Sequence, residues 1–232
     1  MKTMGLIGGL SWESSIEYYR LVNEGVRARL GGLHSARLLL FSFDFDAIER
    51  LQHQGRWDDA TARMVHAAAS LRRGGADFLV ICSNTMHRMA DAVQAAVPLP
   101  LVHIADATAE AIARAGIRTV GLLGTRFTME QDFYKGRLAD RHGLSVLTPD
   151  DAGRTVVHDV IYDELCQGIV RDASREAYRR EVDRLVDRGA EAIVLGCTEI
   201  TLLLKPEDTE APLFDTTRLH ADAAVAFALD AS

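Results

Sequence analysis

The chain has little cysteine, no basic cluster and no long apolar run, and each shortage removes a class of protein. Its three cysteines, Cys82, Cys166 and Cys197, are odd in number and lack the paired spacing of a metal site. Neither a disulfide framework nor a metal site is expected, and a reducing cytoplasm is the expected compartment. No apolar stretch approaches the ~20 residues of a membrane-spanning helix. Met1-Lys2-Thr3 runs into a short strand pattern rather than the apolar region of a signal peptide. Lysine and arginine together number 26 against 33 acidic residues, for a net charge of −7, and they are scattered. Nucleic acid is therefore not an expected partner. The first glycine turn lacks G-x-G-x-x-G spacing, which argues against a dinucleotide, and no low-complexity linker divides the chain.

What is present is a faded internal copy. Gly75-Ala76-Asp77-Phe78-Leu79-Val80-Ile81-Cys82-Ser83-Asn84 reads against Gly189-Ala190-Glu191-Ala192-Ile193-Val194-Leu195-Gly196-Cys197-Thr198, 114 residues on. At the same offset Val97-Pro98-Leu99 matches Ala211-Pro212-Leu213. Thr3-Met4-Gly5-Leu6-Ile7-Gly8-Gly9 matches Thr119-Val120-Gly121-Leu122-Leu123-Gly124-Thr125 at an offset of 116. Three matches in one order imply two similar halves of a 232-residue chain. An apolar fraction of 48% supplies a core, and 25% charged residues argue against disorder.

Short apolar runs alternate with stretches of helical period, the pattern of β-α units around a parallel sheet. Strands are expected at 3–8, 36–43, 78–83, 100–103, 119–124, 144–147, 192–197 and 212–215. Their near-continuous Val, Leu and Ile suit strands covered on both faces. Helical period is clearest at 14–29, 57–73, 86–96, 106–115, 128–141, 174–188 and 217–229. Asp106 and Ser174 read as helix caps, and Gly116 and Gly189 as left-handed stops. The expected fold is α/β, two Rossmann-like lobes each with a four-stranded, mainly parallel sheet. Residues 1–103 plus 208–232 would form the N-terminal lobe and 104–207 the C-terminal lobe. The site would lie in the cleft between them.

Ligands of open α/β sheets sit beyond the carboxyl ends of the strands. Here those ends carry Gly8-Gly9-Leu10-Ser11-Trp12, Ser83-Asn84-Thr85-Met86-His87, Gly124-Thr125-Arg126-Phe127-Thr128 and Cys197-Thr198-Glu199. Each precedes an expected helix, whose amide groups favour a bound carboxylate. Cys82 and Cys166 read as small apolar residues. Cys197 stands at a strand-to-helix junction, a position that can bring a thiol pKa from about 8.5 toward neutral and make it a usable base. His87 and Glu199, one turn into their helices, either orient neighbours or serve structure alone.

The stretch from Met1 to Ser14, the Ser-Asn-Thr-Met-His element and Gly196-Cys197-Thr198-Glu199 resemble the aspartate/glutamate racemase family, and the likeness extends through Ile104-Ala105-Asp106 and Phe214-Asp215-Thr216. The resemblance implies two α/β lobes, racemisation without a cofactor, an amino-acid substrate, a homodimer and two cysteines flanking the substrate α-carbon. The chain departs at the first cysteine. The family pattern is Cys-Asn-Thr-x-His, whereas this chain reads Cys82-Ser83-Asn84-Thr85-Met86-His87. Register puts Ser83 in the catalytic slot, and the repeat agrees, pairing Ser83 with Cys197 and Cys82 with Gly196. Strand alternation then turns Cys82 away.

By the same resemblance, Ser11, Asn84, Thr85, Thr125 and Thr198 would hold the substrate's carboxylate and ammonium. Arg50, Gln52 or His53 would contact its distal group, though Arg50 reads equally as a solvated helix residue. Acidic-substrate relatives place a lysine where this chain has Cys166, so a neutral polar side chain such as that of homoserine is an alternative substrate feature. A serine hydroxyl is a far weaker base than a thiolate, and each pKa unit is worth about 1.36 kcal/mol. Kinetic asymmetry between enantiomers is the expectation. Two other readings stand beside the racemase: a single-cysteine decarboxylase or isomerase of the same superfamily, and an amino-acid-binding module without chemistry.

Overall fold

The computed structural model describes residues 1–230, so the last two residues of the expected N-terminal lobe lie outside the described residues. The chain forms two compact units, Met1–His103 with the chain from His220 on, and Ile104–Leu219.

In the first unit β1 (Met4–Gly8), β2 (Leu38–Ser42), β3 (Phe78–Ile81) and β4 (Leu101–Val102) form a parallel sheet in the order β2-β1-β3-β4. Its helices are α1 (Trp12–Leu30), α2 (Phe45–His53), α3 (Trp57–Arg73) and α4 (Ala90–Ala96), the last preceded by a 3₁₀ turn at Thr85–Met89. Alternation along β3 separates two apolar layers. Leu79 and Ile81 join Ile48, Met64, Ala67 and Val93 on one face. Phe78, Val80 and Cys82 join Tyr18, Val22 and Val26 of α1 on the other. Burial of each such large side chain is worth about 1.5–3 kcal/mol.

The second unit repeats the plan. It contains α5 (Ile104–Arg114), β5 (Thr119–Gly124), α6 (Arg126–Glu130), α7 (Asp132–His142), β6 (Ser145–Leu147), α8 (Asp151–Asp163), α9 (Asp172–Asp187), β7 (Ala192–Gly196), α10 (Ile200–Leu203) and β8 (Leu213–Asp215). Its sheet runs β6-β5-β7-β8, again parallel. Ala192 and Val194 pack with α5 and α7, while Ile193 and Leu195 pack with α8 and α9. The final helix, α11 (Thr216–Leu229), passes into the first unit at His220 and sets Ala221, Ala224, Val225 and Ala228 against the α1 face of that unit's sheet. Among the described residues no helix is long and apolar enough to cross a membrane.

Four expectations need correction. Residues 208–219 belong to the second unit, not the N-terminal lobe, because β8 pairs with β7, Ile193 opposite Leu213 and Leu195 opposite Asp215. Ser174 is no cap: α9 starts at Asp172, and the Ser174 hydroxyl donates to Glu164 at 2.6 Å. Asp106 lies inside α5, where its carboxylate accepts two hydrogen bonds from Arg137 at 2.7 and 2.6 Å and stands 3.0 Å from His142 Nε2. It ties α5 to α7. The match of Val97-Pro98-Leu99 with Ala211-Pro212-Leu213 also slips by two residues. Leu79 N–H donates to Pro100 O and Ile193 N–H to Pro212 O, so Pro100-Leu101 is the counterpart of Pro212-Leu213. The segment carries two consecutive Pro-Leu pairs, 98–99 and 100–101, and the sequence match settles on the wrong one. Gly116 and Gly189 do adopt positive φ, 73° and 98°, just past α5 and α9.

Candidate active site

In the first unit β1 and β3 are parallel neighbours, so their following loops emerge at one sheet edge. Gly9 has φ 68°, and a Cβ there would lie 2.3 Å from both the N and the O of Phe43. Only glycine fits so close an approach. Gly9 N–H donates to Ser15 Oγ at 2.8 Å, and Ser15 Oγ donates to Ser11 O at 3.2 Å. These bonds pin Ser11 at φ 101°, ψ 133°, the one positive φ of a non-glycine among the described residues. Its buried hydroxyl accepts from Ser14 N–H at 3.4 Å as the cap of α1 and donates to Glu13 Oε2 at 2.9 Å. Strain of this kind gathers where a site demands a particular geometry.

Beyond β3 the register decides which residue faces which way. Ile7 lies opposite Ile81, and Cys82 and Ser83 follow; Leu123 lies opposite Leu195, and Gly196 and Cys197 follow. Ser83 and Cys197 therefore hold equivalent positions in the two sheets. Cys82 is fully enclosed in the α1-side core, and burial pushes its thiol pKa far above the ordinary range. Ser83 is partly exposed, and its Oγ accepts from Met86 N–H at 3.4 Å. Asn84, Thr85 and His87 follow it as buried residues, and His87 Nδ1 lies 2.7 Å from Ser83 O. Gln52 reaches the same turn from α2, donating to Met86 Sδ at 3.0 Å from a buried position. Arg50 and His53 instead lie on the solvent side of α2, paired with Asp46 at 2.6 Å and Glu49 at 2.8 Å.

In the second unit β5 and β7 are likewise parallel neighbours. Thr125 follows β5 and caps α6, its Oγ1 accepting from Thr128 N–H at 3.3 Å. Cys197 follows β7, partly exposed, and its thiol donates to Glu199 Oε2 at 3.0 Å. Thr198 Oγ1 accepts from Thr217 Oγ1 at 3.2 Å, and Thr217 N–H is in turn held by Asp215 at 2.9 Å. Cys166 sits in a 3₁₀ turn, Leu165–Gln167, just past α8, and packs with Cys197 against the same core.

The expected low thiol pKa at Cys197 is not what the structure shows. Burial first, and then the neighbouring Glu199 carboxylate, hold it well above the usual cysteine value. The helix that follows, α10, has only four residues, too short for its dipole to offset a buried carboxylate. The resting group is a protonated thiol hydrogen-bonded to a buried carboxylate.

Sequence reasoning missed the partners furthest apart along the chain. Thr217 meets Thr198 across 19 positions. Tyr18, His103 and His220 gather in the first unit, the Tyr18 hydroxyl 2.7 Å from His220 Nδ1 and the His103 ring packed on His87. No local motif marks them.

The family model for Asp/Glu/Hydantoin racemase matches residues 7–224. A crystal structure of a candidate Asp/Glu racemase from Yersinia pestis is 54% identical, with a TM-score of 0.93 over 99% of this chain and 100% of that one. An aspartate racemase homologue from Pyrococcus horikoshii OT3 is 33% identical, with a TM-score of 0.85 over the same shares, 99% and 100%. A broad specificity amino-acid racemase from Bacillus subtilis (strain 168) is 21% identical over 175 residues, 72% of each chain.

Proposed function

The chain belongs to the Asp/Glu/Hydantoin racemase family, and from that premise we propose that it racemises amino acids without a cofactor, Cys197 and Ser83 addressing the two faces of one substrate α-carbon. The observation that carries this reading is the shared register of those two residues in their sheets, with Cys82 locked in the core. Ser11, Asn84 and Thr85 from one sheet edge, and Thr125 and Thr198 from the other, bind the α-carboxylate and ammonium.

The chemistry starts from the protonated Cys197 thiol. Glu199 accepts its proton along the 3.0 Å hydrogen bond, and the thiolate so formed takes the α-proton of one enantiomer. The carbanion is stabilised through the bound carboxylate and regains a proton on its other face from Ser83 or a water held by it; exchange with solvent then takes the proton from Glu199 and restores the one lost on the Ser83 side. In the reverse direction the Ser83 side must act as the base, and a hydroxyl is far less suited to that than a thiol. Because the two enantiomers are equal in free energy, kcat/KM must match in both directions. The asymmetry appears in kcat and KM separately.

Cys166, where the family resemblance sets a lysine in some acidic-substrate relatives, supports a neutral polar side chain on the substrate, and a broad range fits the likeness to the broad specificity racemase. We place the enzyme in the cytoplasm, where its thiols stay reduced. As a homodimer it would cover Trp12, Ile16 and Tyr19, which stand exposed at helical spacing on α1. Light scattering tests that assembly.

Chiral chromatography of both enantiomers of the common amino acids, with Cys197→Ala as blank, tests the main reading. Conversion of none of them would refute it. A single thiol at the strand ends also suits a decarboxylase or isomerase that protonates one face only. Deuterium incorporation at Cα of unreacted amino acids in D₂O separates the two, since a decarboxylase leaves that hydrogen in place. Binding by calorimetry with no exchange would leave the chain a non-catalytic amino-acid-binding module.

A further inference from the structure

Three histidines lie buried in contact in the first unit, behind the Ser83 turn. His220 is fully enclosed and His87 and His103 nearly so. The His87 ring packs edge-on against His103, centroids 4.6 Å apart, and against His220 at 5.4 Å. Proton positions follow from the partners. His220 Nε2 lies 2.8 Å from the carbonyl of Val102, which only accepts, so Nε2 carries the hydrogen. His220 Nδ1 is then bare and accepts from the Tyr18 hydroxyl at 2.7 Å. By the same reasoning His87 Nδ1, 2.7 Å from Ser83 O, carries a hydrogen and donates it.

The Ser83 turn is held from several sides, by Gln52 Nε2 on Met86 Sδ at 3.0 Å and by Ser83 N–H on Ile81 O at 2.9 Å. Ser83 Oγ accepts from Met86 N–H at 3.4 Å and His87 N–H donates to Asn84 O at 3.1 Å, so the His87 side-chain bond is the shortest of the three. The turn is 3₁₀, with poorer hydrogen-bond geometry than an α-helix. Buried polar groups are retained where they are hydrogen-bonded, and the His87 and His220 rings both are.

We propose that His87 is a positioning residue for Ser83: its Nδ1–H clamps the Ser83 carbonyl and so fixes the hydroxyl, while His103 and the Tyr18–His220 pair brace the ring from behind. The inference rests on Ser83 serving the second face of the substrate. A proton-delivering hydroxyl misplaced by a fraction of its contact distance loses rate with little change in substrate binding. The clamp therefore belongs to kcat rather than KM.

Asparagine places its Nδ2 where histidine has Nδ1, so His87→Asn keeps the donor and His87→Leu removes it. Expected in steady-state racemisation is a kcat drop on the order of tenfold for His87→Leu with KM within about twofold, and recovery to within about threefold for His87→Asn. In a Ser83→Ala background His87→Leu should have no further effect, because the two act as a unit. Multiplying effects, or an asparagine variant as poor as leucine with an unchanged melting profile, would overturn the proposal. A second readout needs no turnover. With Ser83→Cys as reporter, the iodoacetamide alkylation rate at position 83 should shift on adding His87→Leu and return on adding His87→Asn. Equal rates in all three would refute the clamp. If the parent chain exchanges no Cα hydrogen with any amino acid, the racemase reading fails, and the alkylation series still decides the clamp.

Discussion

Replacing Ser11 by glycine is expected to stabilise the first unit, while replacing it by alanine destabilises it. At φ 101°, ψ 133° a side chain costs about 1–3 kcal/mol, a burden that alanine keeps and glycine sheds. Both substitutions lose the cap over Ser14 N–H, at about 1 kcal/mol for alanine but only a few tenths for glycine. Glycine also adds about 0.5–1 kcal/mol of unfolded-state entropy. The net is a gain of about 1 kcal/mol for Ser11→Gly and a loss of about 1 kcal/mol for Ser11→Ala, a spread of several degrees in Tm. Both tryptophans, Trp12 and Trp57, belong to the first unit, so their fluorescence in urea reports on this unit. Activity is expected to move the other way. Without the hydroxyl, Ser11→Gly should lose about tenfold in kcat/KM, the value of one hydrogen bond to a bound carboxylate. Stability shifts of the same sign for both variants would refute the strain, and a fully active glycine variant would remove Ser11 from the substrate.

Glu199→Gln should make Cys197 more reactive and the enzyme less so. Without the carboxylate that raises its pKa, the thiol of a Cys166→Ser background should alkylate faster at about pH 8, while turnover falls by about 10² for want of a proton acceptor. Native labelling followed by mass spectrometry should modify Cys166 and Cys197 and spare Cys82 until the chain unfolds; early labelling of Cys82 would undo the register assignment. His220 is held neutral by burial, its pKa pushed down to about 4 from 6.5. The unfolded chain thus binds the extra proton first, so the stability that depends on His220 is full above pH 6.5 and falls by about 3 kcal/mol as pH drops toward 4. Urea unfolding of His220→Gln across that range should be flatter by this amount.

All eight strands were legible because sheets covered on both faces leave unbroken apolar runs, and their ends mark where polar loops begin. That Ser83 rather than Cys82 holds the position equivalent to Cys197 was legible too, since a period of two makes register a matter of counting. Helices α2, α8 and α10 fall outside the seven clearest periodic stretches. In α8 the β-branched Thr155-Val156-Val157 and Val160-Ile161 blur the helical signal, and α10 is a single turn. The return of the chain to the first unit was misplaced because nothing local tells Leu213-Phe214-Asp215 which sheet it joins. The state of Cys197 was beyond reach for a related reason. A junction position suggests a low pKa, but desolvation and the rotamer of Glu199 decide it, and both are products of folding. The histidines at 87, 103 and 220 carry no spacing at all until the fold assembles them.

This connectivity makes the order in which the units are completed the reverse of the order in which their sheets are made. Residues 104–219 make a complete unit in one run, whereas the sheet of residues 1–103 waits for the later part of α11 before Met4, Leu6, Phe78, Val80 and Cys82 are roofed over. During translation the earliest-made sheet is thus the last to be finished, leaving a greasy underside for chaperones to shield. A stop codon placed just after Leu219 would strip Ala221, Ala224, Val225 and Ala228 from the first unit's sheet and leave the second unit whole.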